Sequence, residues 1–118
     1  MKIAFDGKRF FSNASGLGNY SRDLVRILAT HFPHNQYIIL NKEQSERGKK
    51  ILEIPGVSFK KTSKGSFSRQ FKMGKDAQNI DADIFHGLSG ELPLKWNNKP
   101  IKKIVTVHDL IFMRFPQY

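Results

Sequence analysis

The fold is decided by residues 2–40, KIAFDGKRFFSNASGLGNYSRDLVRILATHFPHNQYIIL, where strand, loop, helix and strand patterns follow one another. The short apolar run at residues 2–5 predicts a strand. The stretch from Asp6 to Gly18 contains several glycines and polar residues and predicts a loop.

The next part of this stretch has the periodicity of an amphipathic helix that ends just before Pro33. The apolar positions of the predicted helix are Leu17, Tyr20, Leu24, Ile27, Leu28 and Phe32. Residues 37–40 are four apolar residues in a row, which predicts a buried strand.

Strand and helix patterns continue to alternate after residue 40. We expect a weaker strand at residues 57–59, a helix at 66–80 interrupted by Gly74, and strands at 83–86 and 104–107. This alternation predicts an α/β fold, a Rossmann-like parallel sheet with helices on both faces.

Length and composition place the chain among globular proteins of one domain. It has 118 residues, of which 39% are hydrophobic and 25% charged, and it has no cysteine. Disulfides and thiolate metal sites are therefore excluded. No run of eighteen apolar residues is present, and the N-terminus lacks the features of a secretory signal, so we expect a cytoplasmic protein.

The net charge of +10 is concentrated in residues 42–75, which carry ten Lys and Arg against three Glu. Such a block attracts nucleic acid, anionic lipid or phosphorylated ligands, or it is a solvated loop-and-helix face. The nearby aromatic residues Phe59, Phe67 and Phe71 have spacings that suit a core, so we do not expect nucleic-acid binding.

Ligands of open parallel sheets bind beyond the carboxyl ends of the strands, and the first candidate there is Gly16-Leu17-Gly18. Glycines before a helix allow the backbone to approach a phosphate, which the free helix N–H groups would bind. Neither standard glycine-rich phosphate motif is complete. A steric need for glycine at the helix start is the alternative.

A second candidate is the irregular loop His86-Gly87-Leu88-Ser89-Gly90-Glu91, directly after the fourth predicted strand. His86 could bind a hydroxyl-rich ligand or take part in proton transfer. The alternative is a histidine that is hydrogen-bonded at a strand end.

A third candidate is Thr106-Val107-His108-Asp109, where the fifth predicted strand ends. His108 and Asp109 lie where catalytic groups of such sheets are found. Neighbouring side chains of an extended segment point to opposite faces, so Asp109 is not automatically the partner of His108.

Two groups of residues contain side chains that can ligate a metal ion. Asp81-Ala82-Asp83 resembles an Asp-x-Asp motif, but it precedes a strand, at the end of the sheet opposite the expected site, and indicates a turn with solvated carboxylates. A set made of Asp6, His86 and Asp109 has no diagnostic spacing. We therefore expect no metal site.

Five short segments, in this order, resemble the N-terminal domain of glycosyltransferase family 4, the retaining group-1 glycosyltransferases. They are Asp6-Gly7-Lys8-Arg9, Gly16-Leu17-Gly18-Asn19-Tyr20-Ser21-Arg22, His86-Gly87, Thr106-Val107-His108-Asp109-Leu110 and Arg114-Phe115-Pro116. The resemblance covers essentially the whole chain. It is strongest to bacterial mannosyl- and other hexosyltransferases of surface polysaccharide assembly.

The resemblance implies one half of a GT-B fold, in which two Rossmann-like domains face each other across a cleft. Residues 1–118 would form the N-terminal, acceptor-side domain, and the C-terminal donor-binding domain would be absent. The apolar tail that ends at Tyr118 fits a truncated chain. The family requires neither a bound metal nor a cofactor, since the nucleotide-sugar is its donor substrate.

Residue roles on the donor side also follow from the resemblance. Gly16, Leu17 and Gly18 would lie near the donor diphosphate. His108 would hold the transferred sugar or support the developing positive charge through its backbone carbonyl. Asp109 would help to shape that pocket.

On the acceptor side, the resemblance implies that His86, Gly87, Glu91 and the loop between them face the acceptor. Asp6 would lie at the floor of the cleft. The loop itself varies widely within the family, so the acceptor is left open as a saccharide or a lipid-linked acceptor.

The implied reaction moves a hexose, mannose among the candidates, from a nucleotide-sugar to a hydroxyl with retention of configuration. A lipid-linked acceptor would agree with peripheral contact between residues 66–80 and the inner face of the membrane, although Phe67 and Phe71 at core positions are the alternative. The competing hypothesis is a stand-alone α/β nucleotide- or nucleic-acid-binding module without catalysis.

Overall fold

The computed structural model describes residues 1–12, 16–62, 72–88, 90 and 92–107. The strands are β1 (Lys2–Asp6), β2 (Gln36–Asn41), β3 (Val57–Lys61), β4 (Ile84–Gly87) and β5 (Lys102–Val105). The helices are α1 (Lys8–Ser12), α2 (Gly16–His31), α3 (Glu46–Leu52) and α4 (Met73–Asn79).

The five strands form one all-parallel sheet in the order β3-β2-β1-β4-β5. Phe5 of the central strand β1 pairs with Ile39 of β2 on one side and with His86 of β4 on the other. The predicted α/β class with a Rossmann-like parallel sheet is therefore confirmed. The described helices do not cross a bilayer, since none has the required length and apolarity.

Both faces of the sheet are covered, as the unbroken apolar run of β2 predicts. Tyr37 and Ile39 pack into one buried cluster with Phe5 and the α1–α2–α3 side of the sheet. Ile38 and Leu40 pack into a second cluster on the opposite face, where α4 lies. Side chains of a strand alternate between faces, so one short strand serves two cores.

The predicted helix at residues 17–32 is observed as α2, but its contact face differs from the predicted stripe. Its fully buried residues are small or short, namely Gly18, Ser21, Val25 and Ala29. Ile27 and Phe32 are exposed, and Leu24 and Leu28 only flank the core. Small side chains allow the helix to lie close to the sheet, a preference that the spacing of large apolar residues does not reveal.

The predicted loop at residues 6–18 was wrong in its first half, where α1 forms. Phe10 and Phe11 are buried in α1, and Arg22 of α2 donates to the Phe10 carbonyl at 2.9 Å. The short helix α3 was not predicted. Its Gly48 lies directly against the two phenylalanine rings, and Ser45 donates to the Phe11 carbonyl. Tertiary packing therefore stabilises two helices whose sequences carry little periodicity.

Within the predicted helix at residues 66–80, α4 occupies Met73–Asn79, and residues 66–71 lie outside the described part of the chain. The expectation that Gly74 interrupts the helix was wrong. Gly74 is buried in α4, where a Cβ would lie 2.8 Å from the ring of Trp96. The glycine is needed for the close approach of an aromatic ring.

The fifth strand is observed two residues earlier than its predicted start at residue 104. Pairing with β4 sets its range, since Lys102 lies opposite Ile84. At this edge of the described sheet all residues of β5 are exposed, and Ile104 keeps 45% of its surface in contact with solvent. An exposed edge strand does not need apolar residues along its whole length. The apolar pattern of the sequence therefore did not reveal that β5 begins at Lys102.

Candidate functional site at the carboxyl edge of the sheet

The candidate site lies where the direction of strand order reverses. β1 is followed in sequence by β2 on one side, whereas its other neighbour is β4. In open α/β sheets the loops that leave two such strands turn to opposite faces, and ligands usually bind in the crevice beyond their carboxyl ends. Asp6 ends β1 and Gly87 ends β4, so the structure brings these two predicted site residues to the same edge.

Asp6 has a structural role in addition to the predicted role at the cleft floor. It is 5% exposed, and its Oδ1 accepts a hydrogen bond from the backbone N–H of Lys8 at 3.1 Å. This N–H belongs to the first turn of α1, which otherwise has no intrahelical acceptor. The bond fixes the direction of the carboxylate beside the end of β1.

The predicted phosphate segment forms the first turn of α2. Gly16 is exposed, and an added Cβ would meet no atom within 4 Å, whereas Gly18 is buried. Burial favours a small residue at 18, whereas steric contact gives no reason for glycine at 16. A helix of 16 residues has N–H groups without an intrahelical acceptor and the positive end of its dipole at this terminus.

His86 is half-buried at the end of β4. Its ring lies 5.6 Å from the ring of Phe5, and its Nε2 is 2.6 Å from Oγ1 of Thr106. Burial lowers the pKa of the imidazole below its ordinary value, because the charged form loses hydration. The ring is therefore neutral at pH 7. The structure shows the hydrogen bond at a strand end, and this bond orients the side chain at the predicted acceptor side.

Thr106 and Tyr20 were given no role on sequence grounds, and the structure brings them to the site. Thr106 follows β5, and its backbone N–H donates to the Gly87 carbonyl at 2.9 Å. The hydroxyl of Tyr20, on the second turn of α2, lies 3.4 Å from Thr106 Oγ1. Their sequence separation of 86 residues explains why no local pattern revealed the contact.

Several predicted site residues lie outside the described part of the chain, namely Glu91, His108 and Asp109. Within the described ranges, no group of three or more His, Asp or Glu side chains is placed to hold a metal ion. The turn predicted at Asp81-Ala82-Asp83 is confirmed. Asp81 has φ 59° and pairs with Lys99, and Asp83 accepts from the backbone N–H of Lys2 at 2.7 Å, at the amino end of the sheet.

The basic block at residues 42–75 is described only in part. Phe59 is half-buried and packs edge-on against Phe11, with ring centroids 5.6 Å apart. This aromatic residue therefore belongs to the core, as its spacing indicated. Phe67 and Phe71 lie outside the described residues, as do residues 66–71 of the segment for which membrane contact is predicted.

Comparison with protein-family models, with curated proteins and with solved structures finds no match to this chain.

Proposed function

We propose that this chain is the acceptor-side Rossmann-like domain of a retaining hexosyltransferase that uses a nucleotide-sugar. The observation that carries the proposal is the arrangement at one edge of the sheet. A buried carboxylate, Asp6, ends β1, and a neutral imidazole, His86, lies at the end of β4, its neighbour across the point where strand order reverses. Such a crevice is the usual ligand site of open α/β sheets.

The first turn of α2 is the proposed contact for the donor diphosphate. Its backbone N–H groups and helix dipole favour an anion. Gly16 leaves the backbone open to a close ligand, and Leu17 and Gly18 continue the turn. The link between Tyr20 and Thr106 ties this helix to the strand ends of β4 and β5.

Acceptor hydroxyls are the proposed ligands of Asp6, His86, Gly87 and Glu91. A carboxylate accepts hydrogen bonds and a neutral imidazole donates one and accepts one, which suits a polyol. His108 and Asp109 keep the roles that the family resemblance implies, beside the transferred sugar. These two roles are supported by the place of His108 and Asp109 in the sequence, shortly after the end of β5.

In the proposed reaction the bond between the anomeric carbon and the diphosphate oxygen breaks, and a bond from the acceptor oxygen forms on the same face. The acceptor proton passes to the leaving diphosphate. The protein supplies position and charge stabilisation, so neither a metal ion nor a cofactor is part of the proposal. The whole reaction also needs a donor-binding domain, which the proposal places beyond this chain.

The competing function is an α/β module that binds nucleotides or nucleic acid without catalysis. Its sequence support is the net charge of +10. Phe59 is a core residue and is no stacking platform for bases, so the described residues favour a small anionic ligand at α2 over a nucleic-acid surface.

Binding is tested by NMR on the ¹⁵N-labelled chain with GDP-mannose, UDP-glucose and mannose. The nucleotide-sugars are expected to shift the amides of residues 16–18, and the sugar those of residues 86–88. Gly16→Asp adds a negative charge near the proposed diphosphate and should weaken its binding by about fivefold. Ser58→Asp on β3 adds the same charge at an exposed position and is the matched control.

Catalysis is tested with the complete reading frame that contains this chain, by hexose transfer and the configuration of the product. Retained configuration supports the proposal, and inverted configuration contradicts it. Amide shifts caused only by single-stranded DNA, with a steep salt dependence, would establish the competing function.

A further inference from the structure

Three polar side chains from three elements form a hydrogen-bonded chain at the carboxyl edge of the sheet. Tyr20 comes from α2, Thr106 follows β5 and His86 belongs to β4. The Thr106 hydroxyl is the central member, 2.6 Å from His86 Nε2 and 3.4 Å from the Tyr20 hydroxyl. A threonine hydroxyl has a single proton, so it donates to one of these neighbours and accepts from the other.

The short distance to His86 indicates which neighbour receives the proton of Thr106. An N–H donor and an oxygen acceptor usually lie about 2.7–3.2 Å apart, and hydroxyl donors make shorter hydrogen bonds than N–H donors, about 2.5–3.0 Å when the acceptor is oxygen. A separation of 2.6 Å therefore fits a hydroxyl that donates to the lone pair of Nε2.

The contact with Tyr20 favours the same direction. A phenol is a stronger acid than an alkyl hydroxyl and is the better donor of the two. When Tyr20 donates to Oγ1, the proton of Thr106 is directed to His86. The backbone of Thr106 is held by its N–H bond to the Gly87 carbonyl, at 2.9 Å, so the hydroxyl keeps its place between the two rings.

The protonation of His86 completes the argument. Burial disfavours the charged imidazolium and lowers the pKa of His86, so the ring holds a single proton at neutral pH. If Nε2 accepts from Thr106, this proton is on Nδ1. In a neutral histidine the hydrogen bond made by one ring nitrogen determines the role of the other.

We infer that Thr106, oriented by Tyr20, fixes His86 as the neutral Nδ1–H tautomer, which donates a hydrogen bond to an oxygen of a sugar ligand. Thr106 and Tyr20 are positioning residues that act through His86. The choice of a sugar as the ligand rests on the proposed function, whereas the tautomer follows from contacts within the chain and does not depend on any ligand. An Nδ1–H donor selects ligand oxygens with free lone pairs, such as hydroxyl and ring oxygens.

The tautomer is measured first, by long-range ¹H–¹⁵N correlation spectra of the histidine rings at neutral pH without ligand. The wild-type chain should show a protonated Nδ1 and an unprotonated, hydrogen-bonded Nε2 at His86. Thr106→Val keeps the shape and removes the hydroxyl, so the proton should move from Nδ1 to Nε2 in most molecules. Thr106→Ser should restore the wild-type spectrum, and Tyr20→Phe should give an intermediate one.

A protonated Nε2 in the wild-type chain, or an unchanged tautomer in folded Thr106→Val, overturns the inference whatever the chain binds. Folding of each variant is checked from its amide spectrum, and the wild-type tautomer together with Tyr20→Phe keeps the test decisive if the valine variant unfolds. Mannose is then added to the wild-type chain, and the Nδ1 resonance is expected to shift. The expected tautomer without this shift overturns the sugar contact of His86, while the tautomer assignment stands.

Discussion

At Gly48 a single added carbon is expected to lower the stability of the domain. A Cβ there would lie 2.5 Å from Cε1 of Phe10 and 2.7 Å from Cε1 of Phe11. Both rings are buried and lie edge-to-face against each other, so neither can move freely. We expect Gly48→Ala to lower the free energy of unfolding by about 1–3 kcal/mol in urea denaturation.

Gly16→Ala is the matched control for this substitution, since its Cβ would meet no atom within 4 Å. Alanine costs less backbone entropy than glycine in a helix, so this variant should be as stable as the wild type or up to about 1 kcal/mol more stable. Equal effects of the two substitutions would show that the contacts of Gly48 do not limit stability.

His86 gives the stability of the domain a predictable pH dependence. Its pKa is lowered in the folded state by burial, so the unfolded chain takes up the proton first as the pH falls. The neutral ring makes its full contribution to stability above the pKa of His86 in the unfolded chain, about 6.5. This contribution is lost as the pH falls toward the pKa of His86 in the folded chain.

We therefore expect the free energy of unfolding to decrease as the pH falls through about 6.5, and His86→Gln to flatten this decrease. Urea denaturation at several pH values measures both slopes. If the free energy of unfolding depends on pH equally in His86→Gln and in the wild type, the pH dependence comes from other groups.

At the scale of elements, Gln78 connects α4 to the segment that leads into β5. Its buried side chain donates to the carbonyls of Asn97 at 3.1 Å and Lys99 at 2.6 Å, and it accepts from the Asn97 N–H at 2.8 Å. Loss of this buried amide leaves the carbonyls of Asn97 and Lys99 and the N–H of Asn97 without the hydrogen bonds to Gln78. Gln78→Ala should lower the free energy of unfolding by about 1–3 kcal/mol.

Hydrogen exchange locates this effect. The amide of Asn97 should lose protection in Gln78→Ala, whereas the amides of β1 and β2 should change only with global stability. Asn79→Ala, at the exposed next position of α4, is the matched control and should leave the Asn97 amide protected. Protection retained in the Gln78 variant would contradict the proposed connection.

Some helices can be predicted from their own sequence and others cannot, as the comparison of α1 with α2 shows. The pattern of α2 extends over 16 residues, so its periodicity is visible in the sequence. Helix α1 has five residues and depends on Phe10 and Phe11, whose burial needs α2 and α3. A segment shorter than two turns is unstable by itself, so its sequence carries almost no helix signal.

At the scale of the whole molecule, the net charge of +10 opposes the compact state through repulsion among the Lys and Arg side chains. We expect the Tm to rise when NaCl is raised from about 10 to about 150 mM, because the Debye length falls from about 30 to about 8 Å. Thermal unfolding followed by circular dichroism measures the shift.

A variant with Lys60→Gln and Lys61→Gln, both at exposed positions of β3, removes two of these charges. Its Tm should depend less on salt than that of the wild-type chain. A Tm that stays constant or falls with salt in the wild type would show that local ion pairs, such as Arg26 with Asp23, outweigh the repulsion.

The sequence by itself determined the α/β class, the parallel sheet and the residues at its carboxyl edge, where the candidate site lies. Short apolar runs that alternate with a long helical period admit few other architectures, and strand ends such as Asp6 and His86 then follow from the chain order. Only the tertiary structure decided that α1 and α3 form, that Gly74 is helical and that Tyr20, Thr106 and His86 meet. These features depend on contacts between residues far apart in sequence, such as Gly74 with Trp96, and no local pattern encodes the partner across such a distance.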